Sequence, residues 1–253
     1  MKIAVCAKQI PDPATPYELD PTTHFVVRPD DQVLDDTDRY GIEVGLQLAE
    51  TEEGSSVTVF SMGPSGSLQG IRQALAMGAD AAVLIDDEQL RGADALTTAR
   101  ALAAAIGRDD FDIVIAGTES TDGYTGVVPQ QIAELLGYPT LTFARKVERS
   151  GDVIRIERQT ATGYDVVQAA PPVLLSVTAG VVEPRYPTFK GIMQAKSKPV
   201  DTLSLADLSV EADAQQAITS VEPVAARQAG EIVEDDGTGH EKIVALLTEV
   251  KVV

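Results

Sequence analysis

The chain has 253 residues, 44% of them hydrophobic, enough for one large core or a core with an appendage. Twenty basic against 39 acidic residues leave a net charge of −19, which argues against nucleic acid or an anionic membrane surface as partner. The single cysteine, Cys6, excludes an internal disulfide and a cysteine-rich metal or iron–sulfur site, and two histidines leave little material for His-based catalysis. The opening MKIAVCAKQIPDP reads as a strand and not as a signal peptide, and no apolar run approaches the roughly 18 residues of a membrane span. A cytoplasmic setting is therefore expected.

Apolar runs at residues 3–7, 57–61, 81–85, 113–116 and 140–143 alternate with helical patterns. The first helix begins near Thr37 with Tyr40, Val44 and Leu48 on one face, and the second carries Leu68, Ile71 and Leu75. The third is an alanine-rich run at residues 93–106, and the fourth carries Val128, Ile132, Leu135 and Leu136. This alternation predicts a doubly wound, mainly parallel, Rossmann-like α/β sheet. A Pro-rich loop after the first strand is expected to hold a small ribbon near residues 25–27. Short runs at 145–147, 153–158, 164–168 and 173–177 are expected to form an antiparallel extension. The α/β domain is expected to span residues 1–200 and a C-terminal segment residues 201–253. That segment reads as an aperiodic arm over 202–229, then a helix with a Thr238–Glu241 capping box and an apolar stripe at Ile243, Val244, Leu246, Leu247 and Val250.

In such a sheet, ligands bind beyond the C-terminal strand ends, at a switch point. Three small or polar turns fall there: Cys6-Ala7-Lys8, the turn from Met62 and Gly63 to Gly66, and the turn from Gly117 to Gly126. The last joins a strand to a helix start, where unpaired N–H groups and glycines suit a phosphate, although it matches neither common phosphate-loop pattern. A plain connector is the competing reading. Thr118, Ser120, Thr121 and Thr125 offer hydroxyls there. Asp122 either accepts from a ribose hydroxyl or caps the next helix. Glu119 with Asp122, or Asp35 with Asp36 and Asp38, form paired carboxylates or serve as helix N-terminal acids. Cys6 on a buried strand reads as core. Tyr186 and Phe189, in a loop between Pro184, Pro187 and Gly191, read as an interface anchor or as local core. No catalytic constellation stands out, so the chain reads as something other than an enzyme.

Six stretches, VCAKQIPD, SMGPSG, RQALAMGADAAVLI, IAGTESTDGYTG, PPVLLSVTAGVVEPRYPTFKGIMQAKSKP and EIVEDDGTGHEKIVALL, carry a resemblance. In order and over nearly the whole length, the chain resembles the β subunit of electron transfer flavoprotein. The resemblance implies an adenine-nucleotide-hydrolase-like fold and an obligate heterodimer with an α subunit, which holds one FAD. It also implies a structural AMP in this chain. Carried over by position, the AMP site comprises Cys6, Ala7, Asp35, Asp36, Thr37, Asp38, Met62, Gly63, Gly117, Thr118, Glu119, Ser120, Thr121, Asp122, Gly123, Tyr124 and Thr125. The last three lie at the phosphate end.

The segment after EPRY is the family's docking loop for acyl-CoA dehydrogenases, here Phe189, Lys190, Ile192 and Met193, with Phe189 where the family has leucine. A second departure is a 117–125 turn shorter than in many relatives, carrying Gly-Tyr where an amide pair is common, so phosphate contacts would be more backbone than side chain. The implied function is fatty-acid β-oxidation electron transfer to a quinone oxidoreductase. Two alternatives stand beside it: an electron-bifurcating subunit with a second FAD in the AMP site, and an adenylate-binding regulatory module.

Overall fold

The computed structural model describes residues 1–64, 68–222, 224, 230 and 232–252. In chain order the elements begin β1 (Lys2–Cys6), β2 (Gln9–Ile10), β3 (Val33–Leu34), α1 (Asp36–Ala49), β4 (Ser56–Met62), α2 (Gln69–Met77) and β5 (Ala81–Ile85). Then come α3 (Ala95–Ile106), β6 (Ile113–Gly117), α4 (Val128–Leu136), β7 (Thr140–Ser150), β8 (Val153–Gln159), β9 (Tyr164–Ala169) and β10 (Val173–Val177). The chain closes with α5 (Phe189–Ala195), β11 (Val200–Leu203), α6 (Leu205–Leu208) and α7 (Gly239–Glu249).

Among the described residues one nine-stranded sheet runs β11-β5-β4-β1-β6-β10-β7-β8-β9. Pairing is parallel from β11 through β7 and antiparallel across β7, β8 and β9. Strand side chains alternate between faces, and the core follows that period. Ile3, Val5, Val57, Val59, Ile113 and Ile115 pack with Ile42 of α1 and with Ile71 and Leu75 of α2. Ala4, Cys6, Phe60, Val114 and Leu174 pack on the other face with Leu102 and Ile106 of α3 and Ile132 of α4. The sheet is thus covered on both sides, as the doubly wound expectation requires. Each fully buried isoleucine or leucine contributes about 1.5–3 kcal/mol.

Several expectations shift. Residues 173–177 do not extend the antiparallel hairpins: β10 inserts in parallel between β6 and β7. All five of its residues are buried, the pattern of a central strand covered on both faces. Residues 140–143 and 145–147 belong to one strand, bent by a bulge where Phe143 takes φ 55° and receives the Ser176 hydroxyl oxygen as acceptor for its N–H. The expected ribbon near residue 26 is a single Leu19–Val26 bridge beside the β2–β3 pair. The segment read as an arm from residue 202 first completes β11 on the free edge of β5 and then forms α6. The chain divides into a unit Met1–Ile218 and a unit Thr219–Val253.

Helix α7 forms, but without its capping box: the Thr238 hydroxyl is turned to donate to Asp236 at 2.6 Å and accepts no N–H of the first turn. Ile243, Val244 and Leu246 on it are each more than half exposed. Part of the 202–229 stretch lies outside the described residues, and among those described no helix is long and apolar enough to cross a membrane.

The start of α2 is pressed against the β2–β3 ribbon. A Cβ at Gly70 would sit 2.8 Å from Gln9 Cγ and 2.9 Å from the Leu34 backbone nitrogen, and the latter cannot swing away. Gly70→Ala is expected to lower unfolding stability by about 1–3 kcal/mol in urea titration. A variant as stable as the parent would show that this contact is slack.

Candidate functional site

The parallel strands β4, β1 and β6 are neighbours, so Met62, Cys6 and Gly117 end at one edge of the sheet. Chain order reverses between β1 and β6, so the loops after these two strands flank the switch point. The turn from Gly117 to Gly126 sits there, and α1 holds it.

Asp35 is the N-cap of α1 and has no solvent exposure. Its Oδ1 accepts from the Thr37 N–H and hydroxyl at 3.0 and 2.9 Å. Its Oδ2 accepts from the N–H and hydroxyl of Thr121 at 2.8 and 3.0 Å. One buried carboxylate thereby caps a helix and ties down the turn, and each oxygen is fully used. The Thr37 hydroxyl also reaches the Glu119 carbonyl at 3.3 Å, and Thr118 bonds Val177 O through both N–H and hydroxyl.

Asp38, one turn into α1, accepts from the Lys8 N–H at 2.6 Å and faces Gly117, where an added Cβ would lie 2.9 Å from its Oδ1. Burial, and then the neighbouring Asp35, push its carboxyl up to about 8. Burial also pushes the Cys6 thiol up to about 12, so Cys6 is an inert core thiol. Asp36 points outward to Arg39, and takes no part in the cluster.

Asp122 neither caps α4, whose N-cap is Val127 without a side-chain bond, nor stands free. Its side chain is 1% exposed and is gripped by Lys8 Nζ at 2.7 Å and by the Arg28 guanidinium. Burial opposes its charge, but the two cations outweigh burial and hold its carboxyl below the usual range. Lys8 Nζ also lies 3.4 Å from Ser120 Oγ. Tyr17 and Arg28, from the Pro-rich loop, close over the turn; Arg28 further bonds Gln32 and the Gln9 carbonyl. Arg28 had no signal in the sequence, since a loop arginine is tied to Asp122 only by tertiary folding.

The open parts of the turn are Gly123, Tyr124 and Thr125, all exposed, with φ of 50° at Tyr124 and 65° at Gly126. Beyond them α4 starts with Pro129 in its first turn and no side-chain cap, so its leading N–H groups stay available. Gln130 and Gln131, in that turn, each carry a buried side-chain oxygen without a hydrogen-bond partner among the described residues. Among the described residues, nothing lies within 4 Å of a Cβ placed on Gly63. Accessible backbone N–H groups and two nearby cations suit an anionic group, with Asp35, Asp38 and Asp122 already bonded and the Glu119 carboxylate beside Gly126.

Phe189, Lys190, Ile192 and Met193 lie apart from this cluster. They belong to a helix and not to a loop, because Thr188 caps it by accepting the Gly191 N–H at 3.0 Å. That helix packs on α2.

A family model described as "Electron transfer flavoprotein domain" matches residues 23–208. The protein named "Electron transfer flavoprotein subunit beta" in Mycobacterium tuberculosis is 41% identical over 263 aligned residues, covering 99% of each chain. That of Megasphaera elsdenii is 38% identical, covering 85% of this chain and 82% of its own. A protein of Acetobacterium woodii named "Caffeyl-CoA reductase-Etf complex subunit CarD" is 34% identical with the same coverage.

The buried Asp38 has a titration signature. The folded protein keeps a proton that an unfolded aspartate releases near its ordinary 3.8, so stability declines from about pH 4 to about pH 8 and then levels. Asp38→Asn is expected to flatten this decline in urea midpoints measured from pH 5 to 9. Parallel profiles for the two proteins would dismiss the assignment.

Proposed function

The chain belongs to the electron transfer flavoprotein β-subunit family, and from that membership we propose that it is the carrier subunit of an α/β heterodimer. It binds AMP at the 117–126 turn and forms one wall of an FAD site held mainly by the α subunit. The reading rests on one observation above all: the turn at the β1–β6 switch point is braced by Asp35 and Asp38 while its glycine end and the start of α4 remain open. Gly123, Tyr124, Thr125 and the first N–H groups of α4 would hold the phosphate through backbone, as at other helix N-termini. Lys8 and Arg28 would then share their charge between Asp122 and the phosphate. Cys6, Ala7, Met62 and Gly63, at the ends of β1 and β4, would wall the adenosine side.

Bound flavin supplies the redox chemistry; this chain positions it and a partner, and supplies no acid, base or nucleophile. Electrons come from acyl-CoA dehydrogenases that dock on Phe189, Lys190, Ile192 and Met193, and leave to a quinone oxidoreductase. Phe189 suits an anchor: it is 82% exposed on a capped helix, and an aromatic ring is a common hot spot. The work is done in the cytoplasm.

A second reading puts another FAD in the AMP position, as in an electron-bifurcating subunit. The 34% identity to a subunit of a reductase–Etf complex keeps that reading in view. Nucleotide extracted from the purified heterodimer separates the two: one FAD and one AMP are expected. Two FAD would replace the AMP assignment, and absence of both would end the carrier reading. Phe189→Ala is expected to slow reduction by an acyl-CoA dehydrogenase while leaving flavin content and heterodimer intact. Loss of flavin in that variant would assign Phe189 to the core of the assembly instead.

A further inference from the structure

Arg185 stands shortly before Phe189, and all three nitrogens of its guanidinium are engaged on α1 and its C-cap residue. Nε and Nη2 donate to Glu43 Oε2 and Oε1 at 2.7 and 2.9 Å, and Nη1 donates to Glu50 at 2.7 Å. Its own N–H adds a 3.1 Å bond to Glu43 Oε2. The Glu43 side chain is 4% exposed and also accepts from Gln47 at 2.8 Å. A guanidinium fork on a fixed carboxylate sets orientation as well as distance, which a lysine point charge does not.

Downstream, the same segment is fastened to α2. Arg72 donates to Ala195 O at 2.6 Å, and Lys198 Nζ donates to the carbonyls of Leu75, Gly78 and Ala79 at 3.0, 3.2 and 2.6 Å, closing the C-terminal end of that helix. A Cβ on Gly191 would sit 2.4 Å from Ala76 O, so α5 lies directly on α2. Between these two anchorages Tyr186 is 85% and Phe189 82% exposed. Two bare aromatic rings on a backbone held at both ends are the arrangement of a preformed contact surface.

We propose that the Arg185–Glu43 clamp is the positioning device of this surface, presetting how Tyr186 and Phe189 meet a protein partner so that docking need not first order the segment. The inference rests on the reading of Phe189 as the docking anchor.

The test uses the heterodimer reduced by a purified acyl-CoA dehydrogenase with octanoyl-CoA. Arg185→Gln is expected to raise the apparent KM for the dehydrogenase roughly tenfold with kcat and flavin content unchanged. Amide exchange over residues 184–195 should quicken at the same time. Arg185→Lys should recover little of the KM, because the fork is lost. Glu43→Gln serves as the second variant should Arg185→Gln fail to fold. The clamp is overturned if Arg185→Gln keeps the parental KM while Phe189→Ala raises it, if KM rises with exchange unchanged, or if flavin is lost. An unchanged KM in Phe189→Ala would instead remove the docking premise itself.

Discussion

The Asp35 carboxylate is the contact on which the site depends. It joins two elements far apart in sequence, capping α1 with one oxygen and holding Thr121 of the 117–126 turn with the other. A buried carboxylate is costly unless its lone pairs are met, and here four donors meet them. Because both its oxygens are committed, the turn cannot move without unseating the helix start. Asp38 repeats the device one turn on, joining α1 to Lys8 after β1. The strand ends, the helix and the turn thus form one braced unit at the switch point.

That bracing bears on how an acidic chain could offer the proposed anion site. Of the acids near the turn, Asp35, Asp38 and Asp122 are spent on N–H groups, hydroxyls and cations, while the Glu119 carboxylate lies beside Gly126. Asp122 occupies Lys8 and Arg28, and so keeps two cations gathered beside Gly123 and Ser120. The same helix that organises the turn also carries Glu43, and Glu50 is its C-cap; together they hold Arg185 on its way to α5. Helix α1 is therefore common scaffolding for the 117–126 turn and for the exposed aromatic surface.

Much of this was legible in the chain itself. The apolar runs of β1, β4, β5 and β6, each followed by a helical period, announce a parallel sheet because strands covered on both faces must be apolar throughout. The small-residue turn after Ile113–Gly117 was visible as a strand-to-helix turn by its glycines and hydroxyls. Strand β10 carried the same uninterrupted apolar signal, but its position after two hairpins disguised it. β11 was illegible because VDTL is a half-polar edge strand, whose pairing with β5 no local pattern announces. The helix at Phe189 hid behind Pro184 and Pro187, although Thr188 was there to cap it.

The amino-acid sequence by itself determined the periodicities, and with them the parallel strands β1, β4, β5 and β6, the sheet's two covered faces and the edge where the turns gather, since these follow from local burial patterns. Only the tertiary structure decided what the charged groups do. Arg28 reaches Asp122 across 94 positions and Arg185 reaches Glu43 across 142. Asp35 was visible as a helix acid but not as the tether of Thr121. Ion pairs and buried hydrogen bonds carry no period along the chain; their partners are chosen by where the fold brings the backbone, and so become readable only after it has closed.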